Sequence, residues 1–597
     1  MLKYGYGGRI LRVDLTNRRW FTEPLEPAWI KPVIGGRAAN TKRLAEEIDP
    51  ACDPLGPDNF LIFGIGPLTG SLLPASAYYI VTAKSPLTGI LGDSAAGGQF
   101  AAEMKLTGFD QVVITGKADK LLYLKISETG VQFIECPGCK GATINNTTAH
   151  IRREQQDHSI QVAAIGAAGE NLVHFAAIVS SGNRVNGRTG MGAVMGSKNL
   201  KAIAVRGSRS LQLADTLAFL DEVKIMERDI LRSEEYKKRY QLGTTMLMKD
   251  LNGIGILPTN HFQEGVCDYV DDVSGQKLAA DYKVKNKACF NCNVHCSRYY
   301  IVDGCEAEGP EFETLCGFTS RVGNRDLGFA LEMNEYLNQN GLDSISTSEV
   351  VGWLMECGEK GLIKPADLDG FDMKWGEKEK IRQLVEMITY RRGIGDAMAD
   401  GATKMSARFG TEAQKLVMQV KGLDIICGDP RGIKAYGLTY AIASRGGDHL
   451  RAEPYFELTN RKEEAKKRFG TEKAADRLAE EGKAALVAFS EKIALLTDCL
   501  TMCKNIGLCM DVLNFDTAPR LLKAGTGIDY PADYLRKILA DFVKLEFKLN
   551  RKFGTRKEDD TLPERFRKES LKAGPTKGST VDIERMVKEY YKIHNMD

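Results

Sequence analysis

The chain has 597 residues, and its 81 Lys and Arg against 79 Asp and Glu leave a formal charge of only +2. This balance gives no long-range field to attract nucleic acid, so we expect no nucleic-acid partner. No run of about 18 apolar residues occurs and the N-terminus lacks the apolar core of an export signal, so no membrane span is expected. These features predict a cytoplasmic enzyme. In that reducing compartment the 14 cysteines favour metal ligands, free thiols or core packing over disulfides.

Residues 1–210 alternate glycine turns with short β-branched runs, a pattern typical of sheets. Strands are predicted at residues 10–15, 60–65, 79–83, 111–115, 121–126, 161–165 and 202–205, with helices at 38–48 and 99–106. The sequence shows no internal repeat.

Beyond residue 210, apolar residues recur at i, i+3 and i+4 with charges between them, which predicts amphipathic helices. We expect them at residues 215–240, 330–340, 348–360, 377–391, 462–504 and 581–594, the last after an extended polar segment at 551–578. The predicted fold class is α+β. Its expected domains are a β-rich one at 1–210 and two mainly α-helical ones at 211–415 and 416–597.

The most specific local signal is a group of three cysteines within eight residues: Cys289, Cys292 and Cys296. A loop that presents three thiols so closely is typical of a compact soft-metal centre. A [4Fe–4S] cluster or a tetrahedral zinc needs a fourth ligand, and the later cysteines 499, 503 and 509 are candidates. An iron–sulfur cluster is the favoured interpretation, in which His295 is a bystander. Zinc and purely structural thiols are the alternatives.

A second cysteine pair, Cys136 and Cys139 in CPGC, has the spacing of half a zinc or rubredoxin knuckle. No partner half lies nearby in the sequence. An ordinary turn between strands is therefore the favoured interpretation.

Glycine-rich segments at residues 64–70 and 89–98 follow strand-like runs and allow backbone N–H groups to approach an anion. Neither matches a dinucleotide-binding or P-loop pattern, so tight structural turns are the default. Residues 187–201 mix small residues with Arg188, Lys198 and Lys201, a composition that suits a bound polyanion.

Six longer motifs occur in one order along the chain: GGRILRVDL at 7–15, GPLTG at 66–70, KSPLTG at 84–89, AVMGSKNLKAI at 193–203, EGPEFET at 308–314 and GLDSIS at 341–346. By these motifs the sequence resembles the tungsten-containing aldehyde:ferredoxin oxidoreductases along nearly its whole length. The resemblance implies a tungsten or molybdenum atom held by the sulfurs of two pterins, a nearby [4Fe–4S] cluster, and three domains around the buried cofactor. It also allows a magnesium ion that bridges the pterin phosphates.

The resemblance implies cluster ligands at Cys289, Cys292, Cys296 and Cys503. It also implies two pterin motifs, Asp-x-x-Gly-Leu-Asp and Asp-x-x-Gly-Leu-Cys, which here read NQNGLD at 338–343 and DCLTMC at 498–503. The residues expected to bind the pterins and their phosphates are Asn338, Gly341, Asp343, Asp498, Arg188, Lys198, Arg451, Gly97 and Gly98.

The chain departs from the family pattern at several of these places. In the pterin motifs Asn338 replaces a carboxylate, and Thr501 and Met502 replace Gly-Leu. Tyr78 and Ala95 stand where Arg and Asn are expected, which affects the expected phosphate contacts.

The residues that match the family's catalytic pair are Glu313 and His449. Oxidation of an aldehyde adds oxygen to the carbonyl carbon and removes two electrons, so Glu313 is expected to act as base toward water and His449 to donate to the developing alkoxide. Electrons are expected to pass through the cluster to ferredoxin or to an iron–sulfur or flavin subunit, because no nicotinamide-binding fingerprint is visible.

Two alternatives remain open at this point. The first is the tungsten subunit of a class II aryl-CoA reductase, in which Cys316 ligates the metal, His261 donates a proton and the substrate is an aryl-acyl thioester. The second is a non-catalytic electron-transfer scaffold that keeps the cluster and has lost the pterins. The choice between tungsten and molybdenum, the particular substrate and the oligomeric state are not encoded in these motifs.

Overall fold

The computed structural model describes residues 2–368 and 370–596, and its N-terminal part contains two six-stranded sheets. The strands are β1 (Arg9–Asp14), β2 (Arg19–Pro24), β3 (Leu61–Gly64), β4 (Tyr79–Lys84), β5 (Leu91–Ala96), β6 (Gln111–Thr115), β7 (Leu122–Ser127), β8 (Gly130–Glu135), β9 (Gln161–Ala164), β10 (Ile178–Ser180), β11 (Arg184–Asn186) and β12 (Leu200–Val205). The helices of this part are α1 (Pro27–Ile30), α2 (Gly36–Glu47), α3 (Phe100–Leu106), α4 (Ile144–Glu154), α5 (Ala167–Glu170) and α6 (Met191–Ser197).

The two sheets have the same topology. The first has the strand order β2-β1-β6-β3-β4-β5 and the second β8-β7-β12-β9-β10-β11. In each sheet one pair is parallel, β1 with β6 and β7 with β12, and the other neighbours are antiparallel. The fold therefore contains a duplication that the sequence does not show: the order and direction of the strands repeat, whereas the side chains do not.

The two sheets pack on a common hydrophobic core. Its fully buried members come from both, for example Leu11, Leu61 and Ile114 from the first sheet and Leu122 and Leu200 from the second. Burying a side chain of this size contributes about 1.5–3 kcal/mol. We call the two sheets with their helices the two halves of the sheet domain. Their common core holds them together as one base for the helical part.

The rest of the chain is mainly helical. Its helices are α7 (Thr216–Arg232), α8 (Glu234–Leu242), α9 (Leu247–Gly253), α10 (Gly275–Asp281), α11 (Phe312–Gly317), α12 (Leu327–Asn340), α13 (Ser344–Glu359), α14 (Lys378–Tyr390), α15 (Ile394–Met398), α16 (Ala402–Ser406), α17 (Thr411–Lys415), α18 (Lys434–Ile442), α19 (Lys462–Phe469), α20 (Lys483–Leu500), α21 (Thr517–Thr526), α22 (Ala532–Lys552), α23 (Glu564–Lys568) and α24 (Ile583–His594). Two small sheets lie among them, β13 (Lys283–Lys287), β14 (Ser297–Val302) and β15 (Cys305–Glu308) in one, β16 (Gln419–Val420) and β17 (Leu423–Asp424) in the other. The predicted α+β class is confirmed.

Several predicted elements have different bounds. The helix predicted at 462–504 is divided into α19 and α20, because Gly470 and Gly482 adopt φ values of +80° and +82° that interrupt a right-handed helix. The helix predicted at 215–240 breaks at Ser233, which has an extended conformation. The predicted turn at 89–98 instead contains the buried strand β5.

No helix among residues 2–368 and 370–596 has both the length and the apolar character needed to cross a bilayer. The chain passes from β12 to α7 at residues 205–216, which brackets the expected boundary at 210. The boundary at 415–416 stays a prediction. The largest buried cluster includes residues from both sides of it, such as Trp353 and Tyr590.

Candidate active site

A cavity of about 450 Å³ lies where the two sheets meet the helical part. Most of the predicted site residues line it: Gly97, Arg188, Cys289, Cys292, Cys296, Glu313, Asn338, Asp343, His449, Arg451, Asp498 and Cys503. The structure therefore brings together residues that are hundreds of positions apart in the sequence.

Three of the four predicted cluster thiols lie on the loop between β13 and β14, and the fourth, Cys503, follows α20. Backbone hydrogen bonds fix this loop to the first sheet, since the N–H of Phe290 donates to Gly98 O at 3.0 Å. Ala75 joins the two ligand segments, because its N–H donates to Asn291 O at 3.2 Å and its carbonyl accepts from Cys503 N at 3.1 Å. The first half of the sheet domain thus positions both parts of the thiol group.

The four thiols are close enough to influence one another electrostatically. Burial raises the pKa of Cys292 to about 12, and the neighbouring Cys503 and Cys289 add to this effect. Burial also raises the pKa of Cys296 well above its usual range. Thiols in this environment become thiolates only if a bound cation compensates their charge.

Gly97 gives the thiol group the space it occupies. A Cβ at this position would lie 2.7 Å from the Sγ of Cys289, closer than real contacts allow. The glycine predicted from a turn signal therefore has a packing role, since any larger residue displaces a thiol.

The two pterin motifs lie at equivalent helix ends. Helix α12 ends at Gly341 with φ +70° and α20 ends at Thr501 with φ +49°, both in the left-handed conformation. The departure at Thr501 therefore preserves the turn of the family's glycine. Its hydroxyl accepts from Gly66 N at 2.9 Å, which helps to offset the strain of a left-handed non-glycine residue.

Each helix end packs against a glycine of one sheet. A Cβ at Gly66, which follows β3, would lie 2.5 Å from the carbonyl carbon of Leu500 at the end of α20. A Cβ at Gly166, which follows β9, would lie 2.4 Å from the carbonyl carbon of Asn340 at the end of α12. The duplicated topology thus docks one motif on each half.

Buried arginines face the cavity with unused donors. Arg188 is 6% exposed, and within the described part of the chain its Nε and Nη1 make no hydrogen bond. The Nε lies 3.4 Å from Asp343 Oδ2, an ion-pair contact that lacks the geometry of a hydrogen bond. The Nε of Arg451 likewise has no acceptor among the described residues. Buried donors are normally satisfied, so these atoms indicate an anionic or polar group in the cavity.

The proposed catalytic pair comes from elements outside both sheets. Glu313 lies in α11, and its Oε2 accepts from Cys427 N at 2.8 Å. Burial raises the pKa of Glu313, although the charge of His449 opposes this. Burial alone would lower the pKa of His449, but Asp448, whose Oδ1 is 3.6 Å from Nδ1, outweighs it and raises the pKa.

Two predicted residues support the cavity without lining it. Gly98, with φ +103°, accepts the hydrogen bond from the cluster loop described above. Gly341 closes α12, and its carbonyl accepts from Ala177 N at 2.8 Å.

Lys198 is not brought to the cavity, contrary to the expectation that it binds cofactor. Its ammonium donates to Pro57 O at 3.1 Å and Gly116 O at 3.2 Å. Burial lowers its pKa to about 8. It is therefore used to join the two halves of the sheet domain.

The residues of the aryl-CoA reductase alternative also lie outside the lining. His261 is fully buried, with Nδ1 2.7 Å from Glu356 and Nε2 3.0 Å from Glu349. Cys316 is fully buried with Sγ 3.3 Å from Ser320 Oγ. The His261 ring and the Cys316 thiol are thus enclosed by protein, and neither is among the residues that line the cavity.

Sequence reasoning missed a buried group of charges beside Arg451. Asp93 of β5 accepts from Arg451 Nη2 at 2.5 Å, and its carbonyl accepts from Arg445 Nη1 at 2.7 Å. Burial would raise the pKa of Asp93, but these two arginines outweigh it and lower the pKa. Arg445 directly precedes the segment GGDHLR at residues 446–451, which contains His449. A charge next to a glycine pair was therefore an available signal for Arg445, whereas no sequence signal marked Asp93.

Two of the positions where the chain departs from the family pattern, Tyr78 and Ala95, also line the cavity. Ala95 is on β5 and Tyr78 directly precedes β4. The hydroxyl of Tyr78 donates to Cys503 Sγ at 3.7 Å, so this side chain contacts the thiol group.

The CPGC pair forms a 3₁₀ turn that leads from β8 toward α4, so it lies between a strand and a helix. The sulfurs of Cys136 and Cys139 are bonded to each other, contrary to the expectation of no disulfides. Among the described residues, one group of three or more His, Cys, Asp or Glu has ligand atoms within 4.8 Å of one another: Cys136, Cys139 and His150.

Converging thiols and buried arginines without hydrogen-bond partners are typical of an enzyme cavity that holds a metal centre and an anionic cofactor. Family models agree: residues 10–207 match the aldehyde ferredoxin oxidoreductase N-terminal domain and residues 222–597 match domains 2 and 3. The chain belongs to the aldehyde ferredoxin oxidoreductase family, as the sequence motifs predicted.

Full-length relatives support this assignment. The tungsten-containing aldehyde ferredoxin oxidoreductase of Pyrococcus furiosus is 36% identical over 99% of this chain and 96% of its own length. Its counterpart in Pyrococcus abyssi is 35% identical with the same coverage. The active-site complex BamBC of benzoyl coenzyme A reductase has a similar fold, with a TM-score of 0.87, 24% identity and coverage of 100% of this chain and 95% of that one.

Proposed function

We propose that this chain oxidises aldehydes to carboxylic acids at a tungsten or molybdenum bis-pterin centre and releases the electrons through a [4Fe–4S] cluster. The overall change is RCHO + H₂O → RCOOH + 2 H⁺ + 2 e⁻. The observation that carries the proposal is the single cavity that holds the four thiols, the two motif ends and Glu313 with His449.

The chain's residues fit both groups. Asn338 and Asp498 face the cavity from the two helix ends, and Arg188 and Arg451 offer unused donors for pterin or phosphate. When bound, the bis-pterin metal supplies a two-electron acceptor and the cluster a one-electron exit. A magnesium ion between the pterin phosphates stays a prediction.

The thiol spacing favours iron–sulfur over zinc. Among the described residues, the four thiols are not a group whose ligand atoms all lie within 4.8 Å of one another. The ligands of a tetrahedral zinc all contact one ion, whereas each ligand of a four-iron cube binds a different corner. The wider arrangement suits Cys289, Cys292, Cys296 and Cys503 as ligands of a cube.

Glu313 and His449 are proposed to move the protons. Glu313 as a carboxylate accepts a proton from water that adds to the carbonyl carbon, and Cys427 N holds its other oxygen in place. His449, kept protonated by Asp448, donates to the oxygen on which negative charge develops. The two side chains influence each other electrostatically, since the charge of His449 lowers the pKa of Glu313 and the charge of Glu313 raises the pKa of His449.

We propose an acidic one-electron carrier, ferredoxin or an iron–sulfur or flavin subunit, as the partner. Next to the cluster loop lies a surface that we call the basic face, made of Lys238, Tyr240, Val284, Lys285 and His295, all exposed. The rings of Tyr240 and His295 are 6.3 Å apart, and His295 directly precedes the ligand Cys296. Positive charge around an apolar centre suits rapid docking of an acidic protein. Cytoplasmic location stays a prediction.

The test is elemental analysis and turnover of protein produced anaerobically with tungstate. We expect about four irons and one group-six metal per chain, and reduction of a viologen dye by an aldehyde. Benzoyl-CoA with a strong reductant is the second assay. Iron without tungsten or molybdenum would support the electron-transfer scaffold, and benzoyl-CoA reduction without aldehyde oxidation would support the reductase; either result contradicts the proposal.

A further inference from the structure

The side chain of Tyr78 forms a hydrogen bond with only one of the four thiols. Tyr78 donates its hydroxyl to Cys503 Sγ at 3.7 Å, within hydrogen-bond range for sulfur. Among the described residues, no other side chain donates to any of the four thiol sulfurs. The Cys503 corner is therefore chemically distinct from the other three.

The position of this hydroxyl is determined by the fold. Tyr78 N donates to Thr501 O at 3.1 Å, and Cys503 N donates to Ala75 O at 3.1 Å, so the tyrosine and the cysteine are fixed by the same short backbone segments. The ring also packs on Gly97, where a Cβ would lie 3.1 Å from the ring edge. These contacts leave the hydroxyl little freedom to choose another partner.

We propose that Tyr78 is a positioning residue that raises the reduction potential of the cluster by donating a hydrogen bond to the Cys503 sulfur; this rests on the cluster of the proposed function. Reduction adds an electron to the cluster, and its sulfurs become stronger acceptors. A donor therefore stabilises the reduced form more than the oxidised form. One side chain would thus make transfer of an electron onto the cluster more favourable, through the ligand that follows the Asp498 motif.

Replacing Tyr78 by Phe removes the hydroxyl and keeps the ring. We expect the one-electron reduction equilibrium to become about tenfold less favourable, which is about 59 mV toward negative potential. Tyr79→Phe is the matched control, because Tyr79 is the adjacent residue, is fully buried, stacks on Phe63 at 6.1 Å and does not line the cavity. Iron content must be equal in all three proteins.

The measurement is a redox titration followed by electron paramagnetic resonance, which needs no aldehyde turnover. A shift in Y78F and none in Y79F supports the inference; equal potentials in all three proteins overturn it. If Y78F loses iron, electron-nuclear double resonance of the unmodified reduced protein in H₂O and D₂O decides, because the proposal requires an exchangeable hydroxyl proton coupled at the Cys503 sulfur in addition to that of the Asn505 N–H. Absence of that proton overturns it as well.

Failure of this inference is distinguishable from failure of the proposed function. A protein that binds no cluster under any condition contradicts the function itself. A protein with an intact cluster whose potential ignores Tyr78 contradicts only the role of the hydroxyl.

Discussion

The two halves of the sheet domain share a topology and differ in the chemistry that they position. The first half docks the end of α20 on Gly66, and the second docks the end of α12 on Gly166. After the first helix end comes Cys503, a proposed cluster ligand; after the second comes Asp343, whose carboxylate accepts from Ile345 N and caps α13. A duplicated backbone thus presents two similar motif ends, of which only one connects to the cluster.

The charges at the two ends also differ. Asp498 pairs with Arg37 at 2.7 Å and with Lys504, so this end holds a compensated carboxylate. Asn338 donates to Asn183 at 3.3 Å and carries no charge. The comparison indicates that the scaffold fixes the positions of the two helix ends, whereas single residues determine the charge that each end presents to the cavity.

The proposed base, Glu313, lies in α11 and belongs to neither half of the sheet domain. Its replacement is expected to have the largest effect on activity. Glu313→Gln should lower kcat by about 10²–10⁴-fold, because the amide cannot accept the proton from water. Iron and tungsten content should not change, since both halves are intact. The control is Glu359→Gln, an exposed glutamate that accepts from Gln263 at 2.9 Å and lies outside the cavity lining. Full activity of the Glu313 variant would remove this residue from the mechanism.

The two docking glycines test the comparison directly. Gly66→Ala and Gly166→Ala should each cost about 1–3 kcal/mol, because the added Cβ overlaps a helix end. Gly66→Ala should also lower the iron content, since it displaces the segment that carries Cys503, whereas Gly166→Ala should lower tungsten and keep iron. Melting temperature and metal content are the measurements. Gly253→Ala, with no atom within 4 Å of the new Cβ, is the control. Equal iron loss in the two variants would contradict a division of roles.

The pH profile of kcat/KM should have an acidic and an alkaline limb, each at a higher pH than the pKa of a free glutamate or a free histidine gives. Glu313 faces His449, Arg188 and Arg321, and burial still raises its pKa, so the carboxylate and the activity are lost as pH falls through a value above that of a free glutamate. His449 faces Asp448, Glu313 and Glu453, which raise its pKa, so the proton and the activity are lost as pH rises through a value above about 6.5. The profile of kcat/KM checks this.

His449→Gln sharpens the same measurement. The variant should lose the alkaline limb and keep the acidic one, because only the histidine titrates on that side. An alkaline limb that persists in this variant would assign it to another group.

The smallest effect on electron transfer is expected from changes in the basic face, which lies next to the cluster loop. Lys238→Glu with Lys285→Glu should slow reduction of an acidic ferredoxin severalfold at low salt, and less at high salt, because rim charges act mainly on the association rate. Turnover with a small viologen dye should be unchanged. Lys588→Glu with Lys592→Glu, exposed on α24, is the matched control. The same loss in both pairs would indicate a general charge effect.

The sequence indicated three of the four thiols through their local spacing, and the family motifs indicated Cys503 and the proposed catalytic pair. Spacing marks Cys289, Cys292 and Cys296, and motifs mark Glu313 and His449. The contact of Asp93 with Arg445 could not be predicted, since it joins positions 352 residues apart. The buried strand β5 was not predicted because its small residues are typical of a turn. They allow close packing instead, since a Cβ at Gly92 would lie only 2.8 Å from the Cε of Met191.

The duplicated topology was also invisible in the sequence. Pairing order depends on which strands meet across a sheet, and this leaves no periodic signal when the side chains have diverged. Conversely, Lys198 looked like a phosphate ligand because it lies in a basic, glycine-rich segment. Its burial against Pro57 and Gly116 depends on a contact between the halves that no local pattern reports.

The backbone bonds that Ala75 makes to Asn291 and Cys503 bear on how the enzyme matures in the cell. The last of the four thiols leaves the ribosome long after the other three, and the segment that joins them belongs to the part synthesised first. The four thiols can therefore come together only after segments far apart in the chain have assembled. A chain that ends before residue 503 carries an incomplete set of thiols.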